Sequence, residues 1–208
     1  MQELNNLLDE IKTLLPKIHG WCVFEKAKKL VEIITEIQPE LCVEIGVFGG
    51  SSLIPQAMAL KHNKKGIIYG IDPWETDAAL DEMLGNENKQ WWASIDLENI
   101  YNHCQIHLKT LDLTNCHLIK DKSENVVNQF EDNSIDLLHI DGNHSEVHSY
   151  RDAVLYLPKV KSGGLILFDD IFWVENDSQV TTRKAIMYLL ENCKQTEVVN
   201  DCLIMRKT

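Results

Sequence analysis

The chain reads as an α/β protein, a doubly wound and mostly parallel sheet closed by an antiparallel hairpin. Three observations predict this. Short apolar runs at Leu41–Val47, Gly66–Asp72, His117–Lys122, Ile135–Asp141 and Leu165–Phe168 alternate with segments of helical apolar spacing. The runs at 66–72 and 135–141 end in an acid, and the last runs into Asp169-Asp170, which places carboxylates at the carboxyl ends of buried strands. Finally, Thr196–Val199 and Cys202–Arg206 flank only Asn200-Asp201, a turn too short for anything but antiparallel strands.

Length and composition set the outer limits. The 208 residues suit one domain, with residues 1–39 as a helical cover and 40–208 as the sheet core. At 44% hydrophobic and 25% charged residues this is an ordinary globular composition. No apolar run approaches membrane-spanning length, and the N-terminus lacks the basic start and apolar core of a signal peptide. A net charge of −12 excludes an extended electrostatic grip on nucleic acid or an anionic membrane. The six cysteines form no CxxC pair and several lie in apolar runs, so the expectation is a reducing cytoplasmic setting without a zinc knot.

The elements follow in order. Leu4, Leu7, Leu8, Ile11, Leu14, Leu15 and Ile18 make one helical stripe, bent or ended by Pro16; Ala27, Leu30, Val31, Ile34 and Ile37 make a second, closed by Pro39. With no strand between them, these two helices are expected to cover a sheet edge or the mouth of a site. After the first strand, Phe48–Ser52 is a tight turn and Leu53–Lys61 a helix, with Pro55 tolerated in its first turn. Residues 74–88 are acidic and irregular, and Gln90 to about Leu108 reads as one helix. Ser123 is expected to cap a helix over Glu124–Phe130. Val147, Tyr150, Val154 and Leu157 mark the helix after the fourth strand, ended by Pro158, with Ser162-Gly163-Gly164 as a turn. Ser178 is expected to cap the last helix, with Ile186, Leu189, Leu190 and Cys193 on its stripe.

Chemistry concentrates at the strand ends. Glu44-Ile45-Gly46-Val47-Phe48-Gly49-Gly50-Ser51-Ser52 joins a strand to a helix through glycines, which admit a ligand close to the backbone and offer free N–H groups to an anion. Its G-x-x-G-G spacing fits neither a dinucleotide fingerprint nor a phosphate loop, so a carboxylate is the fitting anion, with Glu44 as an added acceptor. Asp72 closes the second strand, where an acid can accept two ribose hydroxyls. Asp141, Asp169 and Asp170 form a hard oxygen set that favours magnesium, manganese or calcium over zinc, and such close anions need a cation among them. His144, three residues after Asp141, has the pKa range of a general base. His148 is expected on an exposed helix face, and His139, inside a strand, as a hydrogen-bonded core histidine. Trp74, Trp91, Trp92, Phe172 and Trp173 lie in loops near strand ends, where they either wall a ring-shaped ligand or simply pack.

VEIGVFGGSS, GIDPW and LLHIDGNHSEV…SGGLILFDD together resemble the class I S-adenosylmethionine-dependent methyltransferases with their Rossmann-like fold. Within them the chain is most similar to the metal-dependent small-molecule O-methyltransferases, including those that act on macrolide sugars. The resemblance covers roughly residues 40–208. It implies that the Glu44–Ser52 loop, with Gly46 and Ser51, holds the methionine part, Ser52 near its carboxylate. Asp72 would take the ribose, Ser123 would lie near the adenine, and Asp141 would border the donor. It also places Asp141, Asp169 and Asp170 on the metal positions and His144 on the base position. The implied activity is transfer of a methyl group to a hydroxyl of a sugar or glycoside, with magnesium or manganese. A small-molecule or glycan acceptor is the expected partner, with no nucleic acid or membrane, and a homo-oligomer or a longer multidomain chain as the wider assembly. Asn143 stands where some relatives carry an acid that can be their base. A catechol-like phenol is the nearest alternative acceptor. A same-fold metal-dependent oxidase or hydroxylase and an NAD-dependent dehydrogenase are the rival activities.

Overall fold

The computed structural model describes residues 2–175 and 180–208. Seven strands form one sheet: β1 Leu41–Ile45, β2 Ile67–Asp72, β3 Cys116–Lys120, β4 Ile135–Ile140, β5 Val160–Phe168, β6 Cys193–Val199 and β7 Cys202–Lys207. Their order is β3-β2-β1-β4-β5-β7-β6. Strands β1 to β5 pair in parallel, and β7 inserts antiparallel between β5 and β6. The sequence direction reverses between β1 and β4, so a crevice opens above their carboxyl ends.

Alternation along the strands sends neighbouring residues to opposite faces. Cys42, Leu137, Leu165 and Leu167 meet Leu30 and Ile34 of α2 (Phe24–Ile37), Leu53 and Leu60 of α3 (Leu53–Asn63), and Ile11 of α1 (Gln2–Leu14). Val43, Leu138, Ile166 and Phe168 meet the helices of the other face. Both faces are thus covered, which is why the strands read as continuous apolar runs. The N-terminal pair covers a face rather than an edge. Pro16 ends α1 in a single 3-10 turn, Leu15–Lys17.

Several boundaries differ from the sequence reading. Residues 74–88 contain α4 (Thr76–Leu80) and the start of α5 (Asn86–Ser94). The helix expected over 90–108 is two, because Asp96 accepts a hydrogen bond from the Asn99 N–H (2.9 Å) and starts α6 (Leu97–Thr110). Ser123 caps nothing; it opens the short α7 (Ser123–Val126), and its hydroxyl donates elsewhere. Ser162-Gly163-Gly164 lies inside β5, whose pairing with β4 is irregular between Ile135 and Leu137; Gly163 takes φ +78° within the strand. Cys193 begins β6 rather than ending a helix stripe. Ser178 lies outside the described residues; α9 spans Arg183–Asn192.

The largest departure is α8 (Glu146–Tyr156). Val147 is exposed, and the inward face carries His148, Ser149, Asp152, Ala153 and Tyr156. His148 is therefore buried, with Nε2 3.0 Å from Asp81 Oδ2. The first half of this helix borders a cavity rather than the apolar core, so its inward positions are polar.

Candidate active site

The site is assembled above the carboxyl ends of β1, β2, β4 and β5, around a cavity of about 700 Å³. At the end of β1, Gly46 has φ +85°, and a Cβ there would lie 2.0 Å from the Asp141 carbonyl oxygen. Only glycine allows the two central strands to close this tightly. Asp72 braces the same turn: one oxygen accepts the Val47 and Phe48 N–H groups (3.0 and 2.9 Å) and the other accepts that of Trp74 (2.8 Å). Burial raises its pKa, against the pull of those three donors. Asp72 borders the cavity, where its oxygens can accept further donors.

Glu44 does not reach the cavity wall. It is fully buried, accepting from Ser52 Oγ (2.8 Å) and from Gln56, and its carboxylate lies 3.1 Å from His139 Nδ1. Ser51 and Ser52 do border the cavity, and Ser51 Oγ accepts the Cys22 N–H (3.2 Å). The N-terminal segment therefore lies directly on the glycine loop.

The acids of β4 and β5 diverge. Asp169 is 3% exposed and points back into the protein, with Oδ2 2.6 Å from His139 Nε2 and bonded to the Lys26 ammonium. Asp170, in the left-handed region at φ +56°, points to the cavity, where its Oδ2 lies 2.9 Å from His144 Nε2. Asp141 lies between these groups. Its Oδ2 is 3.3 Å from Lys26 Nζ, and its Oδ1 is 3.7 Å from His144 Nε2. The Lys26 ammonium thus stands as a cation between Asp141 and Asp169. Burial alone would lower both histidines; Asp169 and Glu44 instead raise His139 to about 10, and contact with Asp141 and Asp170 raises His144 to about 10. Burial would raise Asp169, yet His139 and Lys26 hold it below the usual carboxylate range.

Asp141, His144 and Asp170 bring one ligand atom each within 4.8 Å of one another, a donor set that fits a divalent ion. Asp169 does not fit beside them, because its side chain is turned to Lys26 and His139. Asn143 is committed to structure: its amide donates to the carbonyls of Ala78 and Asp81 (3.3 and 3.0 Å), and its oxygen accepts the Ser145 N–H (2.9 Å). That leaves the His144 imidazole beside Asp141 and Asp170, its ring set against Trp173 at 4.8 Å between centroids.

Beyond β3, Ser123 borders the cavity and its hydroxyl donates to Asp152, whose pKa burial pushes up to about 7. At the opposite end the mouth is aromatic. Trp21, 65% exposed, stacks on Phe48 at 4.9 Å, with Trp91 and Trp92 around them, and Phe172 is 68% exposed across the opening. Trp74 is buried, its indole N–H on the Phe48 carbonyl (2.8 Å), so it packs.

Lys26, Asp152 and Trp21 are the site residues that sequence reasoning missed. Lys26 carried a signal, since it lies four residues before Leu30, in phase with the buried stripe. Asp152 carried a weaker one in the polar positions 148, 149 and 152 at helical spacing. Among the described residues all six cysteines are free, and no helix is long and apolar enough to cross a membrane.

Comparison with known proteins agrees with this geometry. A family model described as a methyltransferase domain matches residues 43–171. No protein of curated function matches the chain. Among solved structures, the O-methyltransferase NovP superposes with a TM-score of 0.74 at 11% identity, over 100% of this chain and 98% of that one. An O-methyltransferase from Bacillus cereus in complex with SAH, the demethylated form of S-adenosylmethionine, gives 0.67 at 15% identity, over 98% and 90%. An SAH-bound methyltransferase from Podospora anserina gives 0.65 at 14%, over 99% and 87%. Matched through 43–171 and folded in the strand order found here, the chain belongs to the methyltransferase-domain family of class I S-adenosylmethionine-dependent enzymes.

Proposed function

We propose that the chain moves the sulfonium methyl of S-adenosylmethionine to a hydroxyl of a sugar or glycoside, with a divalent ion, magnesium or manganese, assisting. The observation that carries this reading is the convergence of Asp141, His144 and Asp170 on one wall of the cavity. An aliphatic hydroxyl is about 9 pKa units too weak an acid to ionise unaided near neutral pH, if it resembles bulk water. Its activation calls for both charge stabilisation and a base. Held by Asp141 and Asp170, the ion would supply charge that acidifies the acceptor hydroxyl and disfavours a proton on the neighbouring imidazole.

The chain's own residues supply the rest. The loop from Gly46 to Ser52 borders the methionine end, Asp72 the ribose, and Ser123 the adenine, so the donor lies across the strand ends. His144 Nε2 takes the proton as the acceptor oxygen attacks in line, and Trp173 against its ring limits water. Trp21 and Phe172 offer exposed aromatic faces that suit the apolar face of a pyranose. O-methyl transfer is also the activity named for NovP and the B. cereus enzyme.

The test combines SAH calorimetry with methyl transfer from labelled donor to panels of glycosides and catechols. His144→Ala should lower turnover by about 100-fold or more while leaving SAH affinity within about threefold. Unchanged turnover rejects the base; binding of NAD in place of SAH rejects the whole reading; transfer confined to catechols moves the acceptor to phenols.

A further inference from the structure

We propose that Lys26 is a built-in cation of the reaction centre, one that neutralises Asp141 and Asp169 and so weakens the site's hold on a divalent ion. This rests on the methyltransferase reading of the cavity. Lys26 is buried, at 9% exposure, and is brought to the acids by a helix whose Ala27, Leu30 and Val31 are fully buried. It is therefore fixed, not a loose surface lysine that strays inward.

Its contacts divide the lone pairs at the site. Lys26 takes Asp141 Oδ2 and, with His139, Asp169 Oδ2, leaving Asp141 only Oδ1 toward His144. From Glu44 to Asp170 the groups alternate in formal sign: Glu44, His139, Asp169, Lys26, Asp141, His144, Asp170. One ammonium thus already stands between Asp141 and Asp169 before any ion enters. An ion that needs two anionic oxygens must share them with a tethered positive charge 3.3 Å from one of them.

The decisive measurement is a titration of Mn²⁺ into chelator-stripped full-length protein, followed by the electron spin resonance of free Mn²⁺. Lys26→Met keeps most of the length of the side chain and removes its charge; Lys26→Arg keeps the charge. The expected result is an Mn²⁺ affinity about tenfold or more higher for Lys26→Met, and within about threefold of wild type for Lys26→Arg. A purely packing role predicts the opposite order or no change, since loss of fold weakens binding. SAH calorimetry on the same samples reports the fold; if Lys26→Met fails it, Lys26→Gln gives the same reading. Mn²⁺ affinity that stays equal or falls in a charge-removing variant with intact SAH binding overturns the proposal. Absent SAH binding in the wild type would sink the methyltransferase reading instead, and the Mn²⁺ comparison would still decide the role of Lys26.

Discussion

Asp152→Asn separates the electrostatics of the cavity from its packing. The carboxyl lies on the inward face of α8, where burial pushes its pKa up to about 7 despite the Ser123 hydrogen bond and the Arg151 charge. In the unfolded chain it titrates near about 3.9. Below pH about 4 both states hold the proton and the group contributes no pH dependence. From about 4 to 7 the unfolded chain releases a proton that the folded chain keeps, so stability falls as pH rises, by about 1.4 kcal/mol per pH unit. Above 7 the loss levels off, at about 4 kcal/mol in all. Asparagine has nearly the same volume, keeps an oxygen for the Ser123 hydroxyl, and does not titrate. Urea unfolding of both proteins at pH 5 and pH 8 measures the effect. Relative to wild type, Asp152→Asn should gain about 3 kcal/mol between the two pH values, a shift in midpoint of about 1 M. A stability gap of equal size at both pH values would refute the argument, because it would show that the buried carboxyl keeps an ordinary pKa.

Two further outcomes follow from single contacts. Gly46→Ala places a Cβ 2.0 Å from the Asp141 carbonyl at φ +85°, which should cost about 3 kcal/mol and lower Tm by about 6–12 °C in a thermal melt; a Tm within about 2 °C of wild type would show that β1 and β4 can part without penalty. Trp21→Ala removes an exposed face at the mouth, so the acceptor KM should rise about tenfold with SAH affinity within about threefold, and an unchanged KM would take Trp21 out of acceptor binding.

The sheet was legible because buried parallel strands write themselves as apolar runs; β1, β2 and β4 lie where those runs are, and the runs at β2 and β4 end in acids. Helix α8 was misread because its stripe was judged by apolarity alone, while half of that helix faces a cavity and needs polar groups. The α5–α6 break was hidden because Asp96 caps from within a mixed pattern. At the site, the convergence of Asp141, His144 and Asp170 was readable from strand ends, yet the opposite aim of Asp169 was not. Two adjacent acids leave a strand end on different sides, and which of them faces the ligand depends on the φ +56° of Asp170 and on Lys26, more than 140 residues away. Glu44 was misplaced for a related reason: strand alternation, not proximity to the glycines, decides that it faces His139.

The cavity is lined both by residues inside the family match and by residues outside it. Gly46, Asp72, Ser123, Asp141 and Asp152, which border the place proposed for the donor, all lie within 43–171. Trp21 and Lys26 precede that span, and Phe172, Trp173 and Asp201 follow it. On the proposed reading the donor end and the Asp141, His144 and Asp170 wall lie in the part the family shares, while Lys26 and the exposed aromatics Trp21 and Phe172 come from segments outside the match. Solved structures of only 11–15% identity share the fold over nearly the whole chain, and a shared fold does not by itself fix the acceptor. Residues 1–39 are more than a cover: removing them would strip the Lys26 charge from Asp141 and Asp169 and the Cys22 N–H from Ser51, exposing two acids that now share one ammonium. On the proposed reading, a chain lacking α1 and α2 should lose SAH binding in calorimetry together with methyl transfer, even though Gly46, Asp72, Ser123 and Asp141 would still be present.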